Sequence, residues 1–112
     1  MPGALDGVRI VDLTTMISGP IATMMLADQG ADVIKVEPKT GDLVRVLGPA
    51  KGDRTATFLA ANRNKRSLVL DLKSAEGLEA LKKLVSTADV VVQNFRPGAA
   101  ERMGIGEADL RR

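Results

Sequence analysis

Four short runs of β-branched and leucine residues punctuate the chain: Arg9–Leu13, Val33–Glu37, Ser67–Leu72 and Asp89–Val92. Each is too short for a helix, and the intervals after the first and third carry helix signals. Strands that alternate with helices fold as a parallel sheet, so the expected architecture is α/β, a doubly wound, Rossmann-like sheet. The first helix is bounded by Ser18 or Gly19 as cap, Pro20 in the first turn and Gly30 just past its end. Its residues Ile21, Ala22, Met24, Met25, Leu26 and Ala27 are apolar on nearly every side, which predicts cover on more than one face. Ser74 caps the second helix, whose Leu78, Leu81, Leu84 and Val85 share one apolar face. Residues 39–57, rich in Gly and charge, read as a long loop or a short irregular helix. Gly98–Met103 offers a short helical turn, and Gly106–Arg112 opens like a helix, with acids first and no closing Gly. The expectation is that residues 1–112 are the N-terminal half of a larger domain in a longer protein.

The missing residue types narrow the chemistry. With no Cys and no His, these 112 residues hold no disulfide, thiolate metal site, cysteine nucleophile or Ser-His-Asp triad. Only Phe58 and Phe95 supply aromatic rings, too few for the stacking platforms of single-stranded nucleic-acid binders. No run approaches a membrane span, and the N-terminus lacks a basic stretch leading into an apolar one. The expected location is cytoplasmic, with neither nucleic acid, membrane nor metal as partner. Net charge is +2, but residues 35–66 alone carry +5, a local potential that would attract a phosphorylated ligand.

Open α/β sheets hold ligands beyond the carboxyl ends of their strands, so the loops at those ends are the candidates. Asn62-Arg63-Asn64-Lys65-Arg66 leads into the third strand, and Lys73 follows its end, within reach of a phosphate. Asn94-Phe95-Arg96-Pro97-Gly98 follows the fourth: the ring can pack on a purine, and Arg96 can fork onto phosphate oxygens. Arg102 lies one turn along. The loop Thr14–Pro20 precedes a helix start, with Gly19 permitting close approach, yet the G-x-G-x-x-G of dinucleotide folds is absent. Each has a plain structural alternative: solvated charge, a Phe capping the core, a Gly-Pro turn.

The order and spacing of Gly7–Leu13, Ser18-Gly19-Pro20, Leu26–Glu37, Asn62–Lys73 and Asn94–Gly98 with Arg102-Met103-Gly104 resemble the class III coenzyme A-transferase family. That group includes formyl-CoA and carnitine-type transferases and α-methylacyl-CoA racemases, and the likeness runs over essentially the whole chain. It implies that this region holds the nucleotide end of coenzyme A, supplied as acyl-CoA, with a carboxylic acid as second substrate. Leu70, Asp71, Leu72 and Lys73 would border adenine and phosphates; Asn94, Phe95 and Arg96 would form the neighbouring wall. Arg102 would contact phosphate, and Ile17 and Ser18 would lie near the inner pantetheine end. The resemblance also implies interlocked homodimers and a catalytic Asp beyond position 112, so that the chain alone catalyses nothing. Two positions depart from the pattern: Pro38 stands where many members carry an Arg over the adenine, and Ile17 where several transferases carry a Gln. A racemase of the same fold and a non-catalytic nucleotide-binding module are the alternative functions.

Overall fold

The computed structural model describes residues 3–42, 50–51 and 54–111. In chain order the elements are β1 (Arg9–Asp12), α1 (Ser18–Asp28), β2 (Asp32–Glu37), β3 (Ala50–Lys51), β4 (Arg54–Thr55), α2 (Ala56–Asn62), β5 (Arg66–Val69), α3 (Ala75–Val85), β6 (Val90–Val92), α4 (Ala99–Arg102) and α5 (Glu107–Leu110). Four strands form one parallel sheet in the order β5-β2-β1-β6. Ile10 of β1 sits between Val33 and Val90, and Val11 between Ile34 and Val91. The chain steps outward from β1 to β2 to β5, then returns to β6 on the far side of β1. That reversal makes the β1/β6 carboxyl end the topological switch point. The expected doubly wound α/β architecture is therefore the observed one.

Strand side chains alternate between faces, and the two faces bury different partners. Ile10 and Val33 pack with Ala27 and Ala31, at the end of α1 and just beyond it. Val11, Leu13 and Val36 pack with Leu81 of α3, Ala100 of α4 and Ile105. The Ser74 hydroxyl accepts the Gly77 N–H at 3.0 Å, capping α3 as its sequence signals. Helix α1 differs from expectation at its start: Ile17 is the N-cap and no side chain caps it. Nor is it covered on several faces among the described residues. Pro20, Thr23, Met24 and Ala27 are buried, while Ile21 and Met25 are exposed. An all-apolar helix sequence cannot say which of its faces has a neighbour.

The interval read as loop or irregular helix ends differently too. β3 and β4 form a two-stranded antiparallel ladder, and α2 follows at once, so Asn62 closes a helix and is buried. β5 begins at Arg66 and stops at Val69; Leu70–Lys73 lie in the loop beyond. β5 is an edge strand, which accounts for its exposed side chains. No helix among the described residues is long and apolar enough to cross a membrane.

Candidate functional site

Beyond the carboxyl ends of β1, β2 and β5, on the α3 face, lies a cavity of about 380 Å³, within the size range of small-molecule sites. Leu13, Val36, Pro38, Leu70, Leu72, Phe95 and Met103 make its apolar walls, and Thr15, Glu37, Thr40, Asp71, Lys39 and Lys73 contribute the polar lining. The 70–73 wall is braced from behind: Lys73 N–H donates to Asp71 Oδ1 at 3.0 Å, and Ser74 N–H to the Asp71 carbonyl at 3.1 Å. Gly77 presses against the same carbonyl, where a Cβ would stand only 1.9 Å away.

The opposite face of the same strand ends is polar and buried. Asp12 is fully buried and its Oδ2 lies 2.8 Å from the Lys65 ammonium, whose side chain is 2% exposed. Lys65 also donates to the Pro20 carbonyl at 3.0 Å and to Asn62 Oδ1 at 2.7 Å. Thr23 Oγ1 donates to Asp12 Oδ2 at 2.7 Å, Thr14 N–H to Oδ1 at 2.8 Å, and the Thr14 hydroxyl binds Oδ1 as well. Loss of solvent pulls the Lys65 ammonium below the ordinary lysine value, against the opposing pull of Asp12. Beside it Lys35 and Asp42 form a second buried pair at 2.9 Å.

These contacts revise the reading of the +5 segment. Lys35, Arg63, Lys65 and Arg66 each face an aspartate: Asp42, Asp28, Asp12 and Asp32 respectively. The Arg63 guanidinium lowers Asp28, with desolvation opposing it, and Arg66 does the same to Asp32, helped by Arg9. Three of the cations that look like an anion trap in sequence, Arg63, Lys65 and Arg66, are thus matched by acids from the first third of the chain, while Lys35 pairs with Asp42 inside the segment itself. Arg45 and the side chains of Lys51 and Arg54 lie outside the described residues. The cations that line the pocket are Lys39 and Lys73.

Of the sequence-derived site residues, Leu70, Asp71, Leu72, Lys73 and Phe95 come together around this pocket. The others are not among its lining residues. Ile17 caps α1 and Ser18 begins it, both exposed past Thr15. Asn94 turns its amide to the Thr15 backbone. Arg96 is exposed on the turn after Phe95. Arg102 folds back over Gly98, so close that a Cβ there would meet Nη1 at 2.9 Å. Met103, Thr40 and Lys39 were not singled out by sequence, although Lys39 stands two residues past β2, at a strand end like the others.

The profile of CoA-transferase family III matches residues 5–112. The chain is 50% identical over 114 residues to the succinyl-CoA:mesaconate CoA-transferase of Haloarcula hispanica, covering 97% of this chain and 29% of that protein. It is 44% identical over 108 residues to human succinyl-CoA:glutarate CoA-transferase, covering 95% and 25%. A crystal structure of a CaiB/BaiF family protein from Brucella suis superimposes with a TM-score of 0.91 at 39% identity, over 99% of this chain and 31% of that one. The chain therefore spans between a quarter and a third of the length of these proteins.

Proposed function

From the premise that this chain belongs to CoA-transferase family III, we propose that the whole protein moves CoA from an acyl-CoA thioester to a carboxylate. In this reading residues 1–112 hold the nucleotide end of CoA. The carrying observation is the pocket between Leu70–Lys73 and Phe95: an apolar slot with Lys39 and Lys73 in its lining. A purine suits the slot, since its flat faces can lie on Phe95 and on the aliphatic walls. The phosphates belong near the two ammonium groups, which act as point charges at the rim. Arg96 and Arg102, exposed on the following turn and on α4, are long enough to join them once a ligand is bound.

The covalent step lies elsewhere. By family resemblance an Asp beyond position 112 attacks the thioester carbonyl carbon, the C–S bond breaks, CoA leaves as thiolate, and the acyl group stays on the Asp as a mixed anhydride. The carboxylates that the structure buries here, among the described residues, are held by the fold: Asp12 and Asp42 are tied to lysines, and Glu37 accepts from the Asp42 N–H and the Ser67 hydroxyl. An interlocked homodimer, acyl-CoA with a carboxylic acid as substrates, and a cytoplasmic location complete the proposal. The two transferases compared above, named for succinyl-CoA exchange with dicarboxylates, favour transfer over racemisation.

The test is CoA exchange between succinyl-CoA and mesaconate or glutarate by the protein expressed from its complete reading frame, with residues 1–112 alone expected to be inactive. Phe95→Ala should weaken CoA binding about tenfold, as loss of a base-stacking ring does. Lys73→Gln should weaken it severalfold and flatten its salt dependence. Exchange by residues 1–112 alone, or unchanged CoA affinity in Phe95→Ala, would overturn this assignment.

A further inference from the structure

The three residues that leave β1 are held more tightly than a connecting loop requires. Thr14 N–H donates to Asp12 Oδ1 at 2.8 Å, and the Thr14 carbonyl accepts from Lys35 Nζ at 3.1 Å. Thr15 N–H donates to Asn94 Oδ1 at 3.2 Å, while the Thr15 carbonyl accepts from Asn94 Nδ2 at 3.0 Å. Met16 N–H donates to Asp42 Oδ1 at 3.1 Å. Backbone groups of consecutive residues are thus taken by side chains from β1, β2, the loop after β2 and the loop after β6. Within that grip Met16 adopts φ 70, a left-handed conformation that residues bearing a Cβ avoid. A disfavoured backbone persists only where its surroundings over-determine it.

The grip bears on the pocket. Thr15 lines one side of it, and Phe95, the neighbour of Asn94, lines another. The Asn94 amide therefore ties two walls together across the switch point between β1 and β6. Its orientation follows from the bonds, because a flipped amide would set Nδ2 against the Thr15 N–H. We infer that Asn94 is a positioning residue for the pocket: it acts on the ligand through Thr15, fixing that wall relative to Phe95, while Lys35 and Asp42 secure the residues on either side. This inference rests on the proposed nucleotide pocket.

The experiment measures binding of coenzyme A and of adenosine 3′,5′-bisphosphate to the protein expressed from its complete reading frame. Asn94→Ala should weaken both about fivefold, in keeping with two lost neutral hydrogen bonds of modest net strength. Asn94→Asp, which keeps the acceptor for Thr15 N–H and loses the donor, should fall between. Met16→Gly alone should lose no affinity, because glycine takes positive φ at no steric cost. Combined with Asn94→Ala it should restore most of the loss, by returning the loop to its held conformation. Neither a ligand-contacting Asn94 nor a merely stabilising one would be rescued in this way. Affinity within twofold of wild type in Asn94→Ala, or no rescue by Met16→Gly, overturns the inference and leaves the pocket assignment standing. Wild-type protein that binds neither ligand overturns both.

Discussion

Lys65→Met tests whether the buried charge network holds the sheet to its helices. Methionine matches the length of the lysine stem but donates no hydrogen bond, so the substitution removes contacts to Asp12, the Pro20 carbonyl and Asn62. Breaking one side of a buried ion pair costs about 3–5 kcal/mol, because the surviving charge stays out of water. Asp12 would keep the Thr14 N–H and the Thr14 and Thr23 hydroxyls, which argues for the lower end, about 3 kcal/mol. With a urea slope of about 2 kcal/mol/M for a domain of this size, the midpoint should fall by roughly 1.5 M. Urea titration followed by circular dichroism measures it, and Asp12→Asn with the double variant completes a cycle. The coupling should reach about 2 kcal/mol, since the double variant leaves no unpaired charge. A loss below about 1 kcal/mol, typical of exposed ion pairs, or an additive cycle would show that water reaches this pair and that the argument is wrong.

Three further outcomes follow from the same packing. Gly77→Ala would drive a Cβ into the Asp71 carbonyl; it should cost about 2–3 kcal/mol in urea titration and weaken CoA binding by displacing the 70–73 wall. Ser74→Ala removes the cap on Gly77 N–H and should cost about 1 kcal/mol, with little change in CoA affinity. Asp32, held low by Arg66 and Arg9, has a folded value below its unfolded one. Its stabilisation should be complete above about pH 4, near the ordinary Asp value, and disappear as pH falls through the folded value. Wild type should therefore lose stability more steeply below that pH than Asp32→Asn; equal acid limbs would dismiss the ion pair as a contributor.

Much of the candidate site was legible because it follows strand ends. Lys73 and Phe95 each come soon after an apolar run, and a parallel sheet delivers such residues to one edge whatever the loop details; Leu70–Leu72 lie inside the run that reads as the third strand and enter the site only through the family resemblance, because the strand stops at Val69. Lys39 and Thr40 obey the same rule after β2 and were hidden only by a Gly- and charge-rich context. Asn94 was visible as a position, but its backbone partner was not. Its amide reads as a ligand donor, yet it bonds a backbone 79 residues away. The cationic string hides a difference: Arg63, Lys65 and Arg66 look alike in sequence, but the Lys65 side chain is buried while those of Arg63 and Arg66 are exposed.

The sequence by itself determined the order of the four strands of the main sheet and of helices α1 and α3 between them, the Ser74 cap and the parallel architecture, but not β3, β4 and α2. Periodicity, caps and turn residues act within a few positions of themselves, so their effects can be read from neighbours alone. Only the tertiary structure decided which charges are solvated and which are sealed in pairs, and which face of α1 is covered. Lys65 and Asp12 are 53 residues apart, and a side chain carries no local mark of the distant element that will exclude its water. Burial, and with it the strength of every ion pair described above, belongs to the assembled fold.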